Sequence, residues 1–213
     1  MNKLILFCAV LIFAACGNAG NTEIIEVKND AGVVVEKYTR DKTDYAKEGL
    51  YQAFDSQGKL IEEANYVNDT LHGQRTVYFS NGKPEAVENY EKGLFEGEWN
   101  GYTKEGGLDM QGNYVNNEMV GVWKRFYPDG QVKEEVTFAD NNENGPFVEY
   151  YADGNLKAEG NYLNGDFEHG ELKLYNEHGE LERRMDCVKG RCSTVWRSEK
   201  LIKEEAAAEE GGE

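Results

Sequence analysis

The chain has 213 residues and a formal net charge of -17 at pH 7. An acidic body repels phosphate backbones and anionic lipid headgroups, so the charge argues against a nucleic-acid-binding protein. Any contact with a membrane is expected through a covalent anchor. The sequence lacks a G-x-S-x-G motif, a phosphate-binding glycine loop and an H-E-x-x-H motif. No pair of carboxylates stands out either, so we expect no enzymatic activity.

The first residues predict export. A short basic start precedes an apolar run of twelve residues, Leu4–Ala15, which Cys16 follows. That run is too short to span a bilayer and has the length of a signal-peptide core. Residues 13–16, Phe-Ala-Ala-Cys, resemble a lipobox, although Phe13 replaces the usual leucine. We predict a signal peptide over residues 1–15 and a lipid such as palmitate on Cys16; ordinary cleavage without acylation is the alternative.

Acylation would hold the mature chain outside the cytoplasm, on the outer membrane or the cell surface, without crossing the bilayer. Residues 16–23 are expected to form the tether, and residues 24–196 the folded repeat domain. Residues 197–213 are acidic and low in complexity, which predicts a disordered tail, with a nascent helix as the alternative.

Glycine and aromatic residues recur with a fixed period through the folded domain. Six glycines stand 24 or 25 residues apart, and each is followed by an aromatic residue after five positions and a second glycine after nine. Another aromatic residue stands seventeen positions after each of the first five glycines, and Cys187 takes that place in the sixth unit. Gly32 and Tyr38 indicate a looser unit before them. The first glycines are Gly49, Gly73, Gly97, Gly121, Gly145 and Gly170.

Each unit is predicted to be a β-hairpin. In Pro128-Asp129-Gly130 the proline presets φ and the glycine can adopt the left-handed conformation, as a type I turn with a glycine bulge requires. Such a three-residue loop pairs each aromatic residue with the residue six positions later. A two-residue loop, the alternative, would shift the pairing by one. The predicted pairs are Phe54–Leu60, Tyr78–Pro84, Tyr102–Leu108, Phe126–Val132, Tyr150–Leu156 and Tyr175–Leu181.

Alternation continues along the second strand of the hairpin. In residues 156–162 the even-numbered positions are apolar or small, which predicts that Leu156 and Ala158 share one face of the sheet. We therefore expect an all-β fold, an extended antiparallel meander of tandem β-hairpins in which each hairpin stacks on the next. A compact barrel or sandwich is the competing architecture.

These segments resemble a known repeat family. Gly121–Gly130 and Gly145–Gly154 resemble bacterial MORN-type repeats, in the variant found in YwqK-like proteins, and Gly160–Gly165 resembles the second half of that repeat. The resemblance covers Gly49 to about Cys192. It implies an open sheet of hairpins used for protein contacts and, in some eukaryotic members, for membrane association. Bacterial members are often described as antitoxins, a role that presupposes a cytoplasmic protein and fits poorly with export.

A column two residues after each first glycine is rich in aromatic residues. It includes Trp99, Trp123 and Phe147, and Tyr127 and Tyr151 are expected on the same face. The stripe is a candidate binding surface for a protein edge or a peptide, with a glycan ring as second choice. The interpretation that we favour is that the column holds a one-layer sheet together by cross-strand packing.

Cys187 and Cys192 are predicted to form a disulfide across a hairpin, because the tetrapeptide between them is turn-like and the compartment is oxidising. Free thiols are the alternative. Two thiols without a nearby histidine cannot complete a zinc site, and the three histidines stand in distant units. Residues 140–145 lack the ligand spacing of a calcium loop. We therefore predict no metal and no cofactor.

Together these features predict a non-catalytic envelope lipoprotein whose repeats bind or scaffold another protein. One alternative is a structural spacer, a tethered rod with little specific binding. An antitoxin-like partner binder, which the resemblance implies, is the other.

Overall fold

The computed structural model describes residues 20–210. The predicted signal peptide, Cys16 and most of the tether lie outside the described residues, as do residues 211–213. The described part forms one antiparallel sheet of sixteen strands, followed by one helix. The predicted open meander of tandem hairpins is therefore confirmed.

The strands follow one another in the sheet in the order of the sequence, except that β7 pairs only with β6 and β8 takes the next place. β1 and β2 form a hairpin ahead of the six periodic units. The bounds are β1 Thr22–Lys28, β2 Val34–Asp41, β3 Lys47–Phe54, β4 Leu60–Val67, β5 Thr70–Tyr78, β6 Pro84–Glu91, β7 Leu94–Phe95, β8 Gly97–Tyr102, β9 Leu108–Val115, β10 Glu118–Phe126, β11 Val132–Ala139, β12 Asn142–Tyr150, β13 Leu156–Tyr162, β14 Gly170–Tyr175, β15 Leu181–Val188, β16 Arg191–Arg197 and α1 Glu199–Glu210.

The turn inside each hairpin is the predicted three-residue loop. The N–H of Tyr127 donates to the carbonyl oxygen of Gln131 at 2.8 Å, and the N–H of Gly130 donates to that of Tyr127 at 2.9 Å. Gly130 has a φ of 88°, the left-handed conformation of a glycine bulge. All six predicted aromatic pairs are present in the register, from Phe54–Leu60 to Tyr175–Leu181.

A β-bulge follows each of these pairs and overturns the predicted alternation. Tyr150 pairs with Leu156, whereas its neighbour Glu149 pairs with Ala158, so one residue between Leu156 and Ala158 has no partner. Because Glu149 and Tyr150 point to opposite faces, their partners do too. The prediction that Leu156 and Ala158 share a face is therefore wrong, and Ala158 lies on the face of Phe147.

The turn between successive hairpins is a two-residue loop with both residues at positive φ. Asn116 and Asn117 have φ values of 51° and 70°, as a type I′ turn requires. The N–H of Asn117 donates to the carbonyl oxygen of Phe95 at 3.0 Å, and its Oδ1 accepts from the N–H of Phe95 at 2.7 Å. The same reciprocal pair joins Asp69 to Lys47. These bonds couple each unit to the one before it.

Residues 199–210 of the acidic tail form α1. Ser198 Oγ accepts a hydrogen bond from the N–H of Leu201 at 3.1 Å and caps the helix. Glu205 accepts hydrogen bonds from Arg183 and Arg197 at 2.9 and 2.8 Å, which ties the helix to the sheet. Among the described residues, no helix is long and apolar enough to cross a membrane.

The buried residues lie on one face of the sheet. One cluster comprises Val136, Phe147, Ala158, Leu172 and Cys187, which come from five successive strands. The register places all of them on the same side as Trp123. We call this side the core face and the opposite side the polar face.

Candidate binding surface

Large and small residues alternate along one row of the core face. Trp99 stands opposite Gly112, and Phe147 stands opposite Gly160. In both pairs the large residue comes from the first strand of a hairpin and the glycine from the second. The rings therefore spread over positions that carry no side chain.

Gly112 illustrates how close this packing is. A Cβ atom added to Gly112 would lie 2.1 Å from Cδ2 of Trp123, and one added to Gly160 would lie 2.8 Å from Cε1 of Phe147. Carbon atoms in contact are separated by about 3.5 Å or more. Neither glycine has a positive φ. Glycine is thus required here by the space that the rings occupy and not by backbone conformation.

Trp123 lies at the centre of an aromatic cluster. Its ring centroid is 5.8 Å from that of Trp99, 5.2 Å from that of Tyr114 and 6.0 Å from that of Phe138. The contacts with Tyr114 and Phe138 are edge-to-face, a geometry that aromatic pairs prefer. The indole Nε1 is buried and has no hydrogen-bond partner among residues 20–208.

Two residues of the candidate binding stripe belong to the core. Trp123 and Phe147 are only 4% and 3% exposed. Such rings cannot present a surface to a partner, so the packing interpretation holds for both. The sequence did not distinguish the two interpretations because an aromatic column has the same period on either face.

The other three stripe residues are half-buried. The hydroxyl groups of Tyr127 and Tyr151 donate to the carbonyl oxygens of Tyr150 and Tyr175 in the next hairpin, at 2.7 and 2.8 Å. These two tyrosines therefore link neighbouring turns. Trp99 leans over Gly101 and borders an open cavity. Binding by these three residues stays a prediction.

Two adjoining cavities lie over the central hairpins and form one groove, because Arg125 and Glu134 line both of them. We call them the central groove. The first has a volume of about 240 Å³ and is lined by Met110, Met119, Trp123, Arg125, Glu134, Val136, Phe138 and Glu143. The second has a volume of about 220 Å³ and is lined by Arg125, Tyr127, Lys133, Glu134, Glu149, Tyr150 and Lys157.

Charged groups occupy the wall of the central groove. Arg125 stands directly opposite Glu134 in the register, and Glu143 stands opposite Phe138. Burial raises the pKa of Glu143, and the nearby carboxylate of Glu134 raises it further. A bound group that donates hydrogen bonds would relieve this unfavourable environment.

A third cavity, of about 420 Å³, lies over the preceding hairpins. We call it the Trp99 cavity. Its lining combines aromatic residues with carboxylates and contains no lysine or arginine among the described residues. The lining consists of Val77, Phe79, Glu85, Ala86, Glu88, Trp99, Gly101, Tyr102 and Asp109.

A charged network replaces the aromatic residue of the second unit. Arg75 occupies the column of Trp99 and Trp123, and its Nη1 donates to Oε2 of Glu88 at 2.7 Å. Its Nε donates to Oε1 of Glu62 at 2.8 Å. Glu88 is only 8% exposed and also accepts from the hydroxyl of Tyr90 at 3.0 Å. Reasoning from the sequence missed this network. Its sequence signal was the arginine in a column of mostly aromatic residues.

The polar face carries a row of paired side chains. Lys124 Nζ lies 2.8 Å from Glu135 Oε1, and Lys173 Nζ lies 2.8 Å from Glu159 Oε1. Tyr175 also donates to Glu159 Oε1, at 2.8 Å. These charges pair with one another, and the polar face has a cavity of its own there, of about 260 Å³, lined by Val148, Glu159 and Lys173 among others.

The remaining predicted site residues are distributed as follows. Cys187 and Cys192 form a disulfide across the hairpin of β15 and β16, and Cys187 is only 1% exposed. His72, His169 and His178 are all exposed. Within the described part of the chain, no three metal-ligating side chains come together.

The chain matches a known repeat family at four places. The MORN repeat variant family matches residues 47–68, 71–92, 119–140 and 143–164. The chain therefore contains MORN variant repeats. Each matched segment covers one hairpin and the first residue of the turn that follows it; residues 47–68, for example, span β3 and β4.

The MORN repeat geometry extends beyond the matched segments. The hairpin of β8 and β9 pairs Tyr102 with Leu108, and that of β14 and β15 pairs Tyr175 with Leu181. These are the equivalents of the pairs in the matched MORN repeats, so the structure contains six consecutive hairpins of this kind. Trp99 lies in the hairpin between the second and third matched segments, and its cavity is lined by that hairpin and by the second matched segment.

No curated protein sequence matches the chain. Among solved structures, one of a GtfA/B complex bound to UDP and GlcNAc is 14% identical over 65% of this chain and 25% of that one, with a TM-score of 0.25. A structure of TarM is 10% identical over 66% of this chain and 19% of that one, with a TM-score of 0.22. The MORN-repeat chain thus spans a quarter or less of those chains, and these likenesses carry no functional argument.

Proposed function

We propose that this MORN-repeat chain is a non-catalytic, lipid-anchored protein of the cell envelope that binds another protein along its core face. The observation that carries the proposal is the succession of cavities over neighbouring hairpins on that face. On this view the chain is a lipoprotein form of the bacterial, YwqK-like type of MORN protein.

The size of the two halves of the central groove, unlike that of the Trp99 cavity at about 420 Å³, favours a polypeptide over a small molecule. The two halves of the central groove have volumes of about 240 and 220 Å³. Sites that enclose a whole small molecule usually have volumes of roughly 300–1,000 Å³. Each half therefore fits a single side chain, and a succession of such sites suits an extended segment of a partner.

The anchor would place the sheet close to a membrane. β1 begins at Thr22, six residues after Cys16. A fully extended chain spans at most about 3.6 Å per residue, so this end of the sheet would lie within about 20 Å of the bilayer surface. Such proximity suits a partner that is itself an envelope protein.

A spacer is the second candidate, and the coupling between turns favours it. The reciprocal bonds of Asn117 with Phe95 and of Asp69 with Lys47 join consecutive units. Bonds of this kind stiffen a repeat array whether or not it binds a partner.

Site-specific photo-cross-linking in intact cells separates the two candidates. A photo-reactive amino acid is placed at Lys133, in the central groove, or at Val122 on the polar face, in the full lipidated chain. Binding along the core face predicts a discrete cross-linked protein from position 133 and none from position 122. Absence of a product at both positions would favour the spacer, and equal products at both would contradict the assignment to the core face.

The anchor is tested separately. An alkyne fatty acid should label the wild-type chain, and Cys16→Ser should abolish the labelling. A wild-type chain that stays unlabelled in the soluble fraction would overturn the lipoprotein part of the proposal.

A further inference from the structure

The Trp99 cavity combines an aromatic floor with acidic walls. Trp99 leans so far over Gly101 that a Cβ atom on that glycine would lie 2.5 Å from Cη2 of the indole. Trp99 and Phe79 are both only half-buried. The face of an indole ring attracts cations, because the ring quadrupole places negative charge above and below its plane.

The charge of this cavity is not compensated by its own lining. Arg75 pairs with Glu88 at 2.7 Å, but it also pairs with Glu62 at 2.8 Å, so its single charge is shared by two carboxylates. Glu85 and Asp109 are exposed carboxylates in the same lining, which contains no lysine or arginine among the described residues. Lys83, close in sequence to Glu85, donates to the carbonyl oxygen of Glu105 in the next turn and is directed there.

The positions of Glu85 and Asp109 are structurally equivalent, and the series continues along the sheet. Both are the unpaired residues of their β-bulges, and the equivalent residues of the next two hairpins are Lys133 and Lys157. Those two lysines line the central groove. The same structural position is therefore acidic at the Trp99 cavity, whereas the residue two hairpins after each of these acids is a lysine. The acidity of the cavity is thus a local feature and does not follow from the net charge of the whole chain.

From this geometry we infer that the Trp99 cavity binds a cationic side chain, arginine or lysine, of the bound protein segment. The inference rests on the proposed function and names the chemistry of the partner at this point of the core face. The carboxylates favour a cation that donates hydrogen bonds, because a charge-assisted bond adds directional attraction to the contact with the ring. A quaternary ammonium group, which has no N–H, would lack that contribution.

The test uses the full chain, purified in detergent, and small probes in place of the partner. The probes are N-acetyl-arginine amide, the neutral isostere N-acetyl-citrulline amide, and tetramethylammonium. The readout is the indole N–H peak of Trp99 in a two-dimensional NMR spectrum, assigned by its loss in Trp99→Phe. The chain has three tryptophans, so the other indole peaks serve as internal references.

The arginine amide is expected to shift the Trp99 peak saturably, and the citrulline amide is not. The double variant Glu85→Gln/Asp109→Asn should weaken arginine binding at least tenfold. The matched control Lys133→Gln/Lys157→Gln alters the equivalent positions two hairpins later and should leave that binding within twofold of the wild type.

Equal shifts with the arginine and citrulline amides would overturn the inference, as would unchanged binding in the acidic double variant. Tetramethylammonium binding as strongly as the arginine amide would contradict the assignment to arginine or lysine. These outcomes do not depend on a cellular partner. Failure of the photo-cross-linking experiment and failure of this one can therefore be told apart.

Discussion

The two faces of this sheet are built from residues that are neighbours in the sequence. Trp123 and Val136 stand opposite each other on the core face, and Lys124 and Glu135, the adjacent pair, stand opposite each other on the polar face. The first pair is buried, with 4% and 6% exposed, whereas the second forms an ion pair at the surface. In a single-layer sheet one face has to supply the apolar contacts. The two sides of the same strands therefore contribute very differently to the free energy of unfolding.

The largest expected difference between the faces is at Trp123. Trp123→Ala should lower the free energy of unfolding by about 3–5 kcal/mol, because it removes the ring at the centre of the aromatic cluster. The matched control is Val122→Ala, one residue away and 47% exposed on the polar face. It should cost about 0.5 kcal/mol or less. Urea unfolding of both variants makes the comparison, and equal losses would contradict the assignment of the core to one face.

A smaller loss of stability is expected from adding one methyl group to the core face. Gly112→Ala would place a Cβ atom 2.1 Å from the indole of Trp123 and should cost about 1–3 kcal/mol through overpacking. Gly107→Ala serves as control, because its Cβ atom would meet nothing closer than 3.6 Å. The melting temperatures should differ clearly between the two variants. Similar melting temperatures would mean that Trp123 can move aside without loss.

Alkaline pH should produce a graded loss of stability. Burial raises the pKa of Tyr90 and of Tyr78 to about 12 from an ordinary value of 10.0, helped by Glu88 and Glu63 respectively. The folded chain thus holds these protons more tightly than the unfolded chain. Their contribution is complete below pH 10 and is lost as the pH rises towards 12.

The measurement is the midpoint of urea unfolding across that pH range. Tyr90→Phe tests the core face and Tyr78→Phe tests the polar face. Each substitution should remove part of the decrease in the urea midpoint between pH 10 and pH 12. A midpoint that does not change up to pH 12 in the wild type would contradict the predicted effect.

The smallest effect is expected from the ion pairs of the polar face. Lys124→Ala should cost about 0.5 kcal/mol, because Lys124 and Glu135 are both partly exposed and solvent weakens their attraction. A double-mutant cycle with Glu135→Ala isolates the pair energy. A coupling well above 1 kcal/mol would indicate that the polar face contributes more to stability than its exposure suggests.

Much of the local structure could be predicted from particular residues. Pro128, Asp129 and Gly130 indicate the three-residue turn, and that turn determines the pairing of Phe126 with Val132, because loop length sets the register of a hairpin. The type I′ turns, such as Asn116-Asn117, also have a sequence signal, because asparagine tolerates positive φ. The turn type was nevertheless not among the predictions.

The sequence by itself therefore determined the repeat, its hairpins and the pairs next to each turn, since these depend on contacts between residues close in the chain. Only the tertiary structure decided which face is the core. A single bulged residue between Leu156 and Ala158 reverses the alternation that periodicity implies, and whether a ring is buried depends on strands from other repeats. Gly112 makes the same point, since only the ring of Trp123 from the following hairpin explains why that position has no side chain.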